Sequence, residues 1–335
     1  MIFTSSLLRT TRLIPSILNH TQRRTFTMAT MQSPPFTQQV VKAMQTLYPE
    51  SLADRTWDNV GLLQENFTSS SSPPTSPVVL LTNDLTPSVA REAISQKASV
   101  IISYHPFIFR GFKSITLADP HQRIILLLAQ HNIAVYSPHT AIDAAPGGMA
   151  DWLANMLSTL PNLTTTISTV TPISPSSSLP EKFANAGYGR KVQLSKPITL
   201  GEAVKLYAKG LGGLKHVMVA RPKSSEQFMV RTVAVCPGSG ESVLAGVKDA
   251  DLIVTGEMSH HPALKLVMEG KAVLSVFHSN SERAFLREVL KPQLEEQLKE
   301  VDRVKVVVSE EDQDPFQIVD VEDLPGDMRG EMQTV

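Results

Sequence analysis

At 335 residues, 42% of them hydrophobic and 19% charged, the chain is long enough for one large or two ordinary globular domains. A formal net charge of −1 argues against a generally basic surface, so no direct nucleic-acid binding is expected. The single Cys236 excludes an intrachain disulfide framework and a cysteine-rich zinc site. No apolar run approaches the roughly 18 residues of a spanning helix, so no membrane segment is expected.

The N-terminus differs in kind from the rest. No Asp or Glu precedes Glu50, whereas Arg9, Arg12, Arg23 and Arg24 punctuate a segment rich in Ser, Thr and Leu. That composition over residues 1–30 reads as a mitochondrial presequence, with a cytoplasmic form expected from an internal start at Met28 or Met31. A tail without a targeting role is the alternative. VVKAMQTLYP (40–49) then predicts an amphipathic helix leading to Trp57-Asp58-Asn59-Val60-Gly61, and the serine run 69–72 before PPTSP predicts a surface loop.

From residue 77 the pattern becomes regular. PVVLLTND (77–84) predicts a strand, and Thr86 with Pro87 opens a helix through Lys97, since a hydroxyl cap followed by proline suits a first turn. SVIISY (99–104) and IAVYS (133–137) predict strands on either side of a helix over 121–132. Near-continuous apolar strands alternating with helices indicate an α/β sheet covered on both faces. Residues 160–182, rich in Thr, Ser and Pro, predict a boundary or extended loop. A smaller unit follows, with a helix over 200–211 and a strand over 216–221. From Arg231 the first pattern returns: TVAVCPGSG, a helix from Glu241, ADLIVTGEMSHH, a helix, AVLSVFHSN, a long helix to about Glu300, and a strand over 304–309. The expected organisation is therefore a main α/β lobe built from 36–159 and 231–310, a boundary loop and second unit over 160–230, and an acidic tail over 311–335.

Five of the nine histidines (His105, His139, His260, His261 and His278) fall directly after apolar strands. The C-terminal end of a buried strand is where a rigid sheet hands side chains to a loop, and binding groups commonly sit there. His278 and Glu282 are four apart, as are His139 and Asp143, so each pair would share a helix face. Taken singly, such a pair is more often an exposed couple that binds nothing; their convergence points to a metal site. Imidazole and carboxylate without thiolate suit Zn, Mn, Fe or Co. TGEMSHHP (255–262) adds Glu257, His260 and His261 as ligand orienters, substrate ligands or proton carriers. GSGES (238–242) either offers backbone N–H groups to an anion or is a tight strand-to-helix turn. Arg190, beside Gly189, either holds a phosphate or is an ordinary surface arginine. Trp57 and Trp152 are expected in the core or at an interface.

WDNVGL, SYHPFIF, YSPHTAID, GSGES, TGEMSHH and HSNSER stand here in the order found in the Ngg-interacting factor three family, also labelled GTP cyclohydrolase type-two-like. The resemblance spans about 36–318. It implies an α/β protein of two lobes, with mixed sheets covered by helices and a dinuclear metal centre in the cleft between the lobes. It also implies a homo-oligomer, a hexameric ring, with one or two divalent ions per subunit. By motif, His105, Asp143, His278 and Glu282 match the metal ligands. Tyr104 stands where bacterial members carry the first histidine of His-His-Pro, and a neutral phenol is a poor divalent-metal ligand. One ion is therefore expected to be weakly held, absent, or completed by water or His139. The family label implies water attack on a purine imidazole ring, with His139, His260, His261 and Glu257 as candidates for handling protons. Hydrolysis of a phosphoester or amide suits the same centre. The alternative is a non-enzymatic regulator that contacts a transcriptional co-regulator, since fold does not dictate activity.

Overall fold

The computed structural model describes residues 33–67, 76–174, 179–223 and 226–323. The expected presequence over 1–30, both internal start sites and the end of the acidic tail lie outside the described residues.

The Val/Ile/Leu runs become strands buried along their whole length. After α1 (Pro35–Leu47) come β1 (Gly61–Gln64), β2 (Val78–Thr82), α2 (Pro87–Ser95), β3 (Val100–Ser103), α3 (Pro120–Gln130) and β4 (Ala134–Ser137). Strands β2, β3 and β4 run parallel, and β1 lies antiparallel on the edge at β4. Alternate residues of each strand serve opposite faces. On one face Val79, Leu81, Ile102 and Tyr136 pack with Val40 and Met44 of α1; on the other, Leu80, Ile101 and Val135 pack with Val89 of α2 and Leu128 of α3. Helix α2 starts as its sequence dictates, with Thr86 accepting from the Val89 N–H and Pro87 in the first turn.

A second sheet follows α4 (Thr140–Ala144) and α5 (Met149–Asn155). It comprises β5 (Thr165–Pro172), β6 (Gly187–Thr199), β7 (Met218–Ala220), β8 (Met229–Cys236), β9 (Leu252–Thr255) and β10 (Ala272–Ser275), with α6 (Leu200–Gly210), α7 (Glu241–Leu244) and α8 (His260–Met268) interspersed. The spatial order is β5-β6-β8-β9-β10-β7, with β8, β9 and β10 parallel. The last strand, β11 (Lys305–Val308), crosses back to pair with β2 and completes the first sheet in the order β1-β4-β3-β2-β11. Two mixed sheets flanked by helices result.

Three expectations are revised. Residues 160–182 are no mere loop: β5 pairs with β6 over seven residue pairs as an antiparallel edge. Its sequence, TTISTVTP, is β-branched yet half-exposed, so it lacks the apolar run that marked the other strands. Strand β6 also pairs with β8, so the segment expected to form a separate unit and the segment after Arg231 share one sheet. The long helix expected to Glu300 is broken into α9 (Arg283–Phe285), a π turn over Leu286–Leu290 and α10 (Lys291–Gln297). Pro292, with no N–H to continue the ladder, stands where the α register is re-established.

Beyond β11 the chain stays tied down. Glu92 accepts from the Ser309 hydroxyl and from the Glu310 N–H at 3.0 Å. Asp312, expected in the acidic tail, has a buried side chain and accepts from the Asn83 N–H at 2.6 Å. Among the described residues no helix is long and apolar enough to cross a membrane.

Candidate metal centre

The parallel strands of both sheets end at one place. Strand β2 delivers Asn83 and Asp84, β3 delivers Tyr104 and His105, and β4 delivers His139. From the other sheet, β9 leads to Glu257, and β10 leads to His278 and Glu282. His105, His278 and Glu282 form a candidate site for one divalent ion, with ligand atoms all within 4.8 Å of one another.

Each histidine around this point is held by a carboxylate on its Nδ1. Asp84 lies 2.9 Å from His105 Nδ1, Glu257 2.9 Å from His278 Nδ1, and Asp58 2.8 Å from His139 Nδ1. A carboxylate accepts, so each Nδ1 carries the proton. Burial raises the pKa of Asp84, but the hydrogen bond and charge of His105 outweigh it and the net shift is downward. The same balance, with His139 as partner, lowers the pKa of Asp58. Burial lowers the pKa of His105 despite Asp84, which keeps the ring neutral and its Nε2 available.

His105 Nε2 and His278 Nε2 each stand 3.5 Å from an oxygen of Glu282. Glu282 is buried; burial, and then the nearby charges of Asp143 and Asp84, push its pKa well up although Asn83 donates to it at 3.1 Å. A cation among these atoms would offset the cost of an ionised Glu282 and take both nitrogens as ligands. Two ligands on bonds of about 2.1 Å in a tetrahedral arrangement stand roughly 3.4 Å apart, close to the separation seen. The donor set thus fits a divalent ion.

His278 and Glu282 meet by a route other than the expected helix face. Ser279–Ser281 form a 3₁₀ turn, Phe277 before it takes φ +71°, and Glu282 leaves helical geometry at φ −128°. Gly238 (φ +56°) lies so close that a Cβ there would come 2.8 Å from Glu282 Oε1 and 3.1 Å from His278 Nε2. Its N–H donates to the Ser281 hydroxyl at 2.9 Å and the Gly240 N–H to Thr255 at 3.0 Å. The GSGES segment therefore packs against the centre as a tight turn, with both of these amides already satisfied.

His139 sits at φ +32°, a conformation rarely adopted by a side-chain-bearing residue, and its ring stacks edge-on to Trp57 and Tyr104. Asp58 fixes it, accepting also from the Thr140 N–H and hydroxyl. Asp143 lies on a different branch of the site. Tyr104 donates its hydroxyl to Asp143 Oδ1 at 2.7 Å. Burial pushes Asp143 up to about 6, partly offset by His139 and by Tyr104 itself. Burial, reinforced by Asp143 and Glu282, raises the Tyr104 phenol well above its ordinary value, so the phenol is neutral. Cys236 is nearby and buried, its thiol pushed up by burial and kept protonated.

His260 and His261 stand apart. They open α8 on the exterior, both exposed, their rings 5.2 Å from each other, and neither lines a cavity at the centre. The loop after β9 delivers Glu257 first and then turns outward, so strand-end position did not discriminate among the residues that follow. Arg190, weighed as a phosphate holder, is buried and committed to Asp151 and to the Gly187 and Gly189 carbonyls. Trp57, expected in the core or at an interface, is half exposed and so lies outside the core, with its Nε1 donating to Asp54 at 3.0 Å. Trp152 is part-buried between the two large core clusters.

Two cavities flank the His105–His278 pair. One, of about 490 Å³, is bordered by Trp57, Phe109, His139, Asp143 and Tyr188. The other, of about 880 Å³, lies between the ends of β2 and β3 and the returning segment 313–318. The residues missed from sequence are Asp58, Asn83 and Asp84. The last two end the strand PVVLLTND as the histidines end theirs, and the same strand-end criterion applied to Asn and Asp finds them.

Residues 36–315 match the family described as Duf34/NIF3 (NGG1p interacting factor 3). A protein NIF3 homolog of Schizosaccharomyces pombe is 44% identical over 280 residues, covering 82% of this chain and 95% of that one. The human NIF3-like protein 1 is 32% identical over 338 residues, covering 78% and 87%. Among solved structures, a Bacillus cereus protein related to NIF3 shares the fold at TM-score 0.68 with 23% identity, over 84% of this chain and 98% of that one. Sequence and fold agree over the same span that carries the His105–His278–Glu282 site, and the chain belongs to the Duf34/NIF3 family.

Proposed function

We propose that the protein is a divalent-metal-dependent hydrolase whose metal is held by His105, His278 and Glu282. The observation that carries this reading is that His105 and His278, each fixed by a carboxylate on Nδ1, bring Nε2 to the buried Glu282, with His139 fixed in the same way by Asp58 beside them. Carboxylate–histidine pairs are how proteins orient metal ligands and raise their basicity. A divalent ion supplies Lewis acidity toward a substrate oxygen and makes hydroxide available near neutral pH. Zn, Mn, Fe and Co all suit the donors.

The chain's own residues divide the remaining work. His139, beside the site but outside the three-residue group, takes or gives a proton at Nε2 while Asp58 holds its Nδ1–H. Tyr104 keeps Asp143 in place by donating to it, so a second ion on Asp143 competes with that hydrogen bond. We assign one firmly held ion per chain.

Self-association is part of the reading. Helix α8 has no buried residue and packs beside edge strand β7; Leu264 and Met268 of the helix and Met218 and Val219 of the strand are exposed. An apolar, uncovered edge of this kind suits a homo-oligomer.

The test loads purified protein with Mn or Zn and measures hydrolysis of cyclic and linear amides, amidine heterocycles and phosphoesters, beside His139→Gln. Turnover lowered at least about 100-fold in His139→Gln, with metal content unchanged, supports the reading. Absence of turnover across the whole panel removes it.

A further inference from the structure

The chain leaving β11 runs to the metal centre because of how that strand is paired. Strand β11 lies parallel to β2, with Val308 beside Leu81. Parallel neighbours end on the same side of a sheet, so the residues after β11 emerge next to those after β2. The first residues after β2 are Asn83 and Asp84. The two segments are joined along the way. The Ser309 N–H donates to the Leu81 carbonyl at 2.8 Å, and the Asn83 N–H donates to Asp312 Oδ2 at 2.6 Å.

From Asn83 the contacts continue inward. The residue is fully buried, and its Nδ2 donates to Glu282 Oε2 at 3.1 Å and to Asp84 Oδ2 at 3.3 Å. Glu282, reached from the second sheet, belongs to the three-residue group, and Asp84, at the end of the first, holds His105. One amide therefore ties a metal-site carboxylate from one sheet to the acid that orients a histidine from the other. Asp312 also reaches the residue after Glu282, since Arg283 Nη2 stands 3.5 Å from Asp312 Oδ1.

Stability alone accounts poorly for this cluster. The Asp312 side chain is 2% exposed, yet its ion pair with Arg283 is too long for a hydrogen bond. Among the described residues six buried side-chain polar atoms lack a hydrogen-bond partner, and four stand here: Asn83 Oδ1, Arg283 Nε and Nη2, and Asp312 Oδ1. A buried ion pair that leaves such atoms unmet gains little over apolar residues of similar size. What the cluster holds in place explains it better. We propose that Asp312 is a positioning residue for the metal centre, acting through Asn83 to set where Glu282 points. By fixing the Asn83 backbone it lets one amide meet Glu282 and Asp84 together. The segment after β11 is thereby part of the centre, and it continues as a wall of the 880 Å³ cavity through Phe316. This rests on the assignment of the ion to His105, His278 and Glu282, and on nothing about hydrolysis.

The experiment measures Zn affinity by competition with a chromophoric chelator, with far-UV spectra and thermal midpoints recorded for every protein. Full-length wild type is compared with Asp312→Ala, Asp312→Asn, Asn83→Ala and the double variant Asn83→Ala/Asp312→Ala. Asp312→Ala and Asn83→Ala should each weaken Zn by about tenfold or more, the loss expected when a group behind a metal ligand is removed. Asp312→Asn keeps an acceptor for the Asn83 N–H and should retain most of the affinity. The double variant should bind no more weakly than Asn83→Ala, because Asp312 acts through that side chain, whereas independent effects would multiply. A merely structural Asp312 would lower the thermal midpoint without producing this pattern. Unchanged Zn affinity in either single Ala variant, or losses that multiply in the double variant, overturns the proposal. If Asp312→Ala does not fold, Asn83→Ala and Asp312→Asn decide: a loss in Asp312→Asn as large as in Asn83→Ala overturns it. Zn lost in Glu282→Gln but kept in both single Ala variants sinks this proposal and leaves the metal assignment standing, while wild type that binds no Zn sinks both. Zn binding with the expected losses but no turnover of any substrate supports the positioning role and removes the hydrolase reading alone.

Discussion

The two sheets contribute to the centre unequally. The first sheet supplies His139 with Asp58 and His105 with Asp84; the second supplies His278 with Glu257. Side-chain exposure rises along that series, from 13% and 0% for His139 and Asp58, through 22% and 35% for His105 and Asp84, to 35% and 54% for His278 and Glu257. An ion pair in deep surroundings holds its geometry, whereas an exposed one is screened and gives little. The first sheet is therefore the preorganised half of the site, and the second brings an adaptable imidazole together with the buried carboxylate Glu282. Neither half suffices, because Glu282 faces a histidine from each sheet.

The strongest way to break this comparison is to remove a shared contact. His105→Ala and Glu282→Gln should each reduce bound metal to a small fraction of wild type, read by elemental analysis after dialysis. Glu282→Gln keeps the side chain's volume and an acceptor for Asn83, so a folded far-UV spectrum with lost metal isolates the ligand's role. Full metal retention in either variant places the ion elsewhere.

A finer test compares the orienting acids. Asp84→Ala should lower metal affinity by about 10- to 100-fold, the range for losing a carboxylate behind a ligating histidine. Glu257→Ala should cost less, under about tenfold, because water replaces an exposed carboxylate more readily. Competition titration against a chelator of known affinity ranks the two. Equal losses would mean that exposure does not govern how these carboxylates act.

How much of this was readable beforehand follows from the physics of each segment. The strands β2, β3, β4, β9 and β10 announced themselves because each is buried on both faces and so must be apolar throughout. Edge strand β5 did not, since one of its faces meets solvent and Thr serves there as well as Val. His105, His278 and Glu282 stood out by residue type at strand ends. Their orienting partners were harder to see: Asp58 lies in the loop before β1, 81 positions from His139, and only the folded sheet brings them together. Asp312 was invisible for a related reason. Set among acids near the chain's end it reads as tail, and its burial depends on β11 crossing back to β2. The π turn before Pro292 left a trace in that proline, but helical periodicity over the neighbouring residues outweighed it.

The smallest expected effect concerns Tyr104, where the preorganised half departs from a purely ligating one. Its phenol is neutral, buried and committed to Asp143, so it contributes a hydrogen bond and core packing in place of a metal bond. Tyr104→His exchanges that donor for an imidazole with a free lone pair and frees Asp143 to bind. The substitution also removes aromatic volume from a buried position, which should lower stability by about 1–3 kcal/mol. At saturating Zn, wild type should hold about one ion per chain and Tyr104→His a larger number, the second released first on dilution. That order is required if His105, His278 and Glu282 are the firm site, since the new imidazole would have only Asp143 as an evident partner and no carboxylate known to fix its Nδ1. Unchanged stoichiometry would show that Tyr104 does not limit the second ion, and the Tyr104–Asp143 hydrogen bond would then be a packing contact with no bearing on metal number.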